Sequence, residues 1–469
     1  MEEFISRTHE PTYVFQNLSD TDLVSLSKVY PKLLHNEYFW SNRYFNITGQ
    51  SLELHPNLTW QDSDFYSLMH LPGYKEILYI TGNLRLLQYL KFQNKLFPTL
   101  HDANLAATNG HVDVLKYLEQ LRPKVRPNII GVNSAAAYGY LNVLKYLEQL
   151  NPSIYPDITG ANHAASNGHL HVLKYLEQLN RNIRPNDSGA NLAAEHGHLD
   201  VLKYLEQWGI LPDITGANQA AGNGHLDVLK YLEQLKIRPN IVGASLAAQH
   251  GHLDVLKYLE QLDPKVYPDI ASPDWAAIGG HLDVLKYLVR LKIFPTIDGT
   301  IGAAIGGHVD ILEYLEQLDP KIGPNTVAAN YAAMNGHFNV LEHLENLNPK
   351  VRPNVDGANR AAMNGHVNVL EYLEHLDPKV RPDVYGANLA ARNGHLNVLQ
   401  YLERLDPKIR PDTHGANWAA QSGHLHILKY LAQLDPIILP SIYGANQAER
   451  NEHLDVLEFL EQFEIFPQE

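Results

Sequence analysis

Apolar residues along this chain alternate between two rhythms. Between Thr159 and Leu179 the first stretch is small and alanine-rich, centred on Ala164 and Ala165. The second places Leu170, Val172, Leu173 and Leu176 on one face, at spacings of two, three and four. That spacing predicts a helix with a single buried face. The alanine stretch predicts a shorter helix whose small side chains let a neighbour come close. Gly168 separates the two, where the first helix must end on a positive φ. Lys174 and Glu177 form a weak pair on the polar face, and Pro185 blocks helical continuation in the linker.

The pattern then repeats. With the glycine as register mark, copies fall at Gly82, Gly110, Gly139, Gly168, Gly197, Gly224, Gly251, Gly280, Gly307, Gly336, Gly365, Gly394 and Gly423, and Glu452 closes the fourteenth. A fixed period in this range marks a solenoid, in which each unit buries its apolar face by stacking on its neighbours. Every linker keeps an aliphatic residue two positions before a proline, as in Val125/Pro127, Ile237/Pro239 and Ile465/Pro467. The shorter steps lose linker residues and nothing from the helices. In the last copy Glu449 takes the second alanine slot, followed by Arg450, and Glu452 takes the glycine slot, as a polar cap requires. In the first copy Leu78 and Tyr79 fill the alanine slots, so its outer face should meet the N-terminal segment.

Composition narrows the function. A net charge of −15 excludes a sequence-blind grip on phosphates, so no nucleic acid partner is expected. The absence of cysteine excludes disulfides, thiolate zinc sites and acyl carriage on sulfur. No run approaches the roughly 18 apolar residues of a membrane span, and the first ten residues are polar. The expected location is the cytoplasm, with no membrane partner. No phosphate loop, nucleophile elbow, kinase set or His-Glu-x-x-His motif occurs, so no catalytic residue, cofactor or enzymatic activity is expected.

Three rows of chemically active side chains read as structural. The histidines from His111 to His453 share one slot, but helices pack about 8–10 Å apart, too far for two imidazoles to hold one zinc. They read as turn residues bonded to backbone, with no metal. The tyrosines of Leu-Lys-Tyr-Leu read as repeat-to-repeat packing. The linker bases Lys124, Arg126, Lys350, Arg352, Lys379, Arg381, Lys408 and Arg410 read as solvated, with an acidic partner as the alternative.

The string Thr159-Gly-Ala-Asn-His-Ala-Ala-Ser-Asn-Gly-His169 resembles the ankyrin repeat pattern Thr-Pro-Leu-His-x-Ala-Ala-x-x-Gly-His, in register over about residues 72–469. The resemblance implies an all-α, ankyrin-like solenoid of about fourteen helix-turn-helix repeats that binds a protein target on its concave, first-helix face. The unit is about four residues shorter than an ankyrin repeat, at the expense of the segment that forms ankyrin's β-hairpin. Little or no strand is therefore expected. Short arrays of this kind are similar to those of giant DNA viruses of amoebae, which implies a host-interaction role in the host cytoplasm.

Residues 1–71 form a separate head. Leu18, Asp22, Leu23, Val29 and Trp40, followed by Arg43, resemble the second half of an F-box. That resemblance implies docking on the adaptor of a cullin-based ubiquitin ligase. By their own pattern the same residues form short amphipathic helices, capped by Ser19 or Asp20, that seal the first copy. Both readings stand at this point.

Because each slot is sampled once per copy, the chain supplies its own comparison. The slots flanking Ala-Ala vary most, and in copies eight to thirteen they hold Trp275, Ile278, Ile305, Tyr331, Met334, Arg360, Met363 and Trp418. Trp, Tyr and Arg dominate interface hot spots, and Met adapts to its partner. The target is expected to dock here, between about residues 272 and 422.

Overall fold

A pair of short helices and a tight turn make up each period, and copy eleven shows why. Asn354 caps the helix Val355–Met363, its Oδ1 accepting the N–H groups of Asp356 at 3.0 Å and Gly357 at 3.4 Å. Gly365 ends it in the left-handed region at φ +80°. The Gly365 and His366 N–H groups then donate to Ala362 O at 3.2 Å and Ala361 O at 3.0 Å, which satisfies the carbonyls a helix end leaves open. The helix Val367–Glu374 follows at once, burying Val369, Leu370 and Leu373. The Val380 N–H donates back to Leu373 O at 3.1 Å, and its side chain packs on the core, as the linker pattern predicts.

The computed structural model describes residues 74–92, 96–150, 152–179, 183–318 and 321–468. Among them are 28 helices and no strand, an all-helical repeat solenoid. The F-box-like residues Leu18, Asp22, Leu23, Val29 and Trp40 lie outside the described residues. The array comprises two compact units: one runs to Ala217 and includes Lys230–Ile237, the other comprises Asn218–Leu229 and the chain from Arg238. In both, first helices of successive copies pack more closely than second helices. The alanine pair permits that approach: Ala361 and Ala362 have no exposed surface.

A ladder of side-chain hydrogen bonds ties most copies to the next. Asn359 Oδ1 accepts the N–H of Asp383 at 2.9 Å, Asn388 that of Asp412 at 2.8 Å, and Asn133 that of Asp157 at 3.0 Å. The asparagine of one copy thus satisfies the N-cap backbone of the following one. Its room comes from a glycine: a Cβ on Gly386 would lie 2.3 Å from Asn359 Oδ1 and 3.0 Å from Asn359 Cα. The exceptions occur in pairs. Where Ser272 replaces the glycine, the preceding copy carries Ser245, whose Oγ accepts the Asp269 N–H at 3.0 Å. Where Ala328 replaces it, the preceding copy carries Ile301.

The last copy explains its own departures. Glu449 and Glu452 are exposed, whereas the equivalent Ala420 is fully buried beneath the following copy. A Cβ on Gly394 would meet His424 of the next copy at 3.1 Å, whereas Glu452 stands exposed to solvent. Only the backbone cost of φ +60° remains there. Glu452→Gly is expected to stabilise this copy by about 1 kcal/mol, read as slower amide exchange across residues 442–461. Unchanged exchange would show that the turn carries no strain.

Candidate functional site

The histidine row is a set of cross-copy braces. Its side chains stand at the N-cap of each second helix yet cap nothing. Instead Nε2–H donates to a carbonyl of the preceding copy: His111 to Ile80 O at 2.7 Å, His337 to Ile305 O at 2.8 Å and His453 to Gln421 O at 3.1 Å. A carbonyl can only accept, so Nε2 carries the proton. The backbone bond expected of a turn histidine is present, and it crosses between copies. Burial pushes the pKa of His169, His252, His281, His366, His395 and His424 down.

The linker bases are engaged within the chain. Glu374 Oε2 accepts Arg381 Nε and its Oε1 accepts Arg381 Nη2, both at 2.6 Å, while Lys379 Nζ also reaches Oε1 at 2.6 Å. Arg381 Nη1 continues to Asp406 O of the next copy at 2.9 Å. The same clamp recurs at Glu119, Glu345 and Glu403. Bidentate geometry of this kind is among the stronger ionic contacts. The clamp also decides what the next tyrosine does. Where it is missing, the hydroxyl donates to the glutamate, as in Tyr175 to Glu148 at 2.6 Å and Tyr287 to Glu260 at 2.7 Å. Where it is present, the glutamate is taken and the hydroxyl turns to backbone, as in Tyr401 to Leu370 O at 3.2 Å.

These two rows predict two acid transitions. The histidines resist protonation when folded, so below about pH 6.5 the unfolded chain binds protons first and stability declines as pH falls towards their lowered values. The clamp glutamates act lower down. Arg126, Arg352, Arg381 and Arg410 hold Glu119, Glu345, Glu374 and Glu403 at about 2, against an ordinary 4.5. Their contribution is complete above pH 4.5 and is lost as pH drops towards 2. Urea midpoints should fall in both windows, and His366→Asn with His395→Asn should shrink only the upper fall. A midpoint constant from pH 7.5 to 5.5 would contradict the first assignment.

With these rows assigned to stacking, the first-helix ridge of the second unit remains. There the residue after Ala-Ala in one copy lies beside the residue before Ala-Ala in the next. Gly302 has no side chain because a Cβ would sit 2.1 Å from Ile278 Cγ1. Arg360 Nη1 lies 4.0 Å from Met334 Sδ while its Nε donates to Asp356 at 2.9 Å. Arg392 stands 5.9 Å from the Trp418 ring centroid, and Tyr385 meets that ring edge-on at 6.4 Å. Trp275, Ile278 and Ile305 are exposed at 47%, 36% and 37%. Tyr331, Met334, Arg360, Met363 and Trp418 are half-buried. The eight expected residues therefore line one ridge. Tyr385, which sequence comparison passed over, belongs with them; its signal was an aromatic in a first-turn slot that elsewhere varies freely.

No protein-family model matches the chain, and no curated protein sequence is similar to it. Among solved structures it is similar to the pentatricopeptide repeat protein PPR10 from maize, with 13% identity over 84% of this chain and 74% of that one, at a TM-score of 0.31. It is also similar to PPR10 in complex with an 18-nt psaJ RNA element, with 14% identity over 97% and 89% of the two chains, at a TM-score of 0.29. The ankyrin resemblance has no counterpart in these structures. The expectation of no nucleic acid partner does not stand on net charge, and PPR10, to which the chain is similar, was solved with RNA. Net charge sums the whole surface and does not decide what one face accepts. RNA binding is a property of the maize protein, and neither likeness carries an argument about what this chain binds. Among the described residues no helix is long and apolar enough to cross a membrane.

Proposed function

We propose that this chain is a non-enzymatic scaffold of the ankyrin kind, working in the cytoplasm, whose protein target docks on the first-helix ridge between about residues 272 and 422. The carrying observation is the exposure of Trp275, Ile278 and Ile305 on a ridge whose intervening alanines are fully buried. Contiguous exposed apolar groups favour association unless a partner covers them. Trp275→Ser, Tyr331→Ser and Trp418→Ser together are expected to weaken capture of the target from cell extract at least tenfold, about 1.4 kcal/mol, with helicity unchanged. The matching control changes Leu105, His163 and Gln219. An equal loss in the control removes the ridge from consideration.

The F-box-like pattern Leu18, Asp22, Leu23, Val29, Trp40 supports a further step, in which the head hands that target to a cullin-based ubiquitin ligase. Leu23→Ala with Trp40→Ala should abolish co-purification of the ligase adaptor and leave target capture intact. A wild-type head that fails to hold the adaptor at micromolar concentration leaves residues 1–71 as a structural cap.

A further inference from the structure

The ridge discriminates by charge, although the chain as a whole is acidic, with 52 Asp and Glu against 37 Lys and Arg. From Leu246 to Arg450, every residue in the two slots flanking the alanine pair is uncharged except Arg360, Arg392 and Arg450. No carboxylate occupies either slot. Arg360 is balanced by Asp356 at 2.9 Å. Among the described residues no carboxylate lies within ion-pair distance of Arg392, which is exposed and rests 5.9 Å from the Trp418 ring centroid. Asp383, at the opposite end of the same helix, is used as its N-cap, accepting the N–H groups of Tyr385 at 2.9 Å and Gly386 at 3.3 Å.

A guanidinium lying on an indole keeps its planar N–H fork free, and that fork matches a carboxylate in two-point fashion. Tyr385, 55% exposed and edge-on to Trp418, extends the aromatic floor beside it. Towards lower residue numbers the same ridge turns apolar through Met363, Met334 and Ile305. The complementary ligand carries acidic groups interleaved with apolar ones. We propose that the occupant of the ridge is an acidic peptide segment bearing aromatic or apolar side chains, anchored where Arg392 lies over Trp418. The apolar side chains between the arginines favour a peptide over other polyanions. This inference rests on the ridge being the docking surface and adds the chemistry of what docks.

The test uses the full chain and three fluorescently labelled probes read by anisotropy: a random glutamate–tyrosine copolymer, a lysine–tyrosine copolymer of equal length, and an 18-nucleotide oligouridine. The glutamate–tyrosine copolymer should bind best, and Arg392→Glu and Trp418→Ala should each weaken it at least tenfold. Arg392→Glu should at the same time improve the lysine–tyrosine copolymer, which shows that the variant is folded. If the lysine copolymer binds the wild type better and loses affinity with Trp418→Ala, the ridge survives and the acidic occupant is wrong. If oligouridine is the tightest probe and depends on the same residues, the ridge is a nucleic-acid surface and the peptide is wrong. If neither copolymer responds to Trp275→Ser or Trp418→Ala, the ridge itself is not a docking surface.

Discussion

Gly386→Ala is expected to destabilise its copy by roughly 3 kcal/mol, far beyond the usual cost of one methyl group. The added Cβ would stand 2.3 Å from Asn359 Oδ1 and 3.0 Å from the Asn359 Cα. A side chain can rotate away, but the Cα belongs to the fully packed helix Val355–Met363. Overpacking of this kind costs about 1–3 kcal/mol. Rotating Asn359 adds the loss of its bond to the Asp383 N–H, about 1 kcal/mol. Native-state amide exchange should show the loss across residues 355–403, with distant copies little changed, because a repeat array responds locally. The natural Ser245/Ser272 pair supplies the rescue. Gly386→Ser combined with Asn359→Ser should recover much of what Gly386→Ser loses alone. Simple additivity in that double-mutant cycle would mean that glycine and asparagine are independent.

Ala420→Glu is expected to unfold the copies around it, at a cost of about 3–5 kcal/mol for a carboxylate buried without a partner. Ala420 has no exposed surface, and the next copy lies against it. The same residue type is present one period later as Glu449, exposed to solvent. The contrast isolates stacking as the cause, since slot, helix and neighbouring sequence are otherwise alike. Loss of protection from about residue 396 to 450 is the expected readout. Wild-type protection in the Ala420→Glu chain would show that the alanine slot is open, and would sink the close-packed reading of every copy.

Much of this architecture is legible in one period of sequence. The left-handed turn follows from Gly168, the buried face of the second helix from Val172, Leu173 and Leu176, with the expected Leu170 only half-buried, and the close first-helix contact from Ala164 and Ala165. What is not legible depends on the offset between copies. Asn162 looks like an ordinary polar residue until the backbone of Asn186, 24 residues on, is placed 3.0 Å from its Oδ1. A trace of this did exist in the chain: Ser245 departs together with Ser272, and Ile301 with Ala328. Arg381 reads as a solvated linker charge because Glu374 lies seven residues back, across the end of a helix. The ridge slots were identifiable by their variability. That Arg392 would lie over Trp418 of the next copy is a fact of stacking alone.

The spacing of the ladder bears on how such a chain changes length over generations. Donor and acceptor in each asparagine rung belong to the same two slots of adjacent periods, so a duplication or deletion of one whole period among copies that keep the asparagine and glycine joins an acceptor to an equivalent donor. Rungs such as Asn359 to Asp383 and Asn388 to Asp412 are interchangeable in this sense. Substitution is more constrained than duplication, since a change at the glycine must be answered one period upstream before either is tolerated. Inheritance in this fold therefore favours copying over editing, and novelty is left to accumulate in the slots that no rung, brace or clamp occupies.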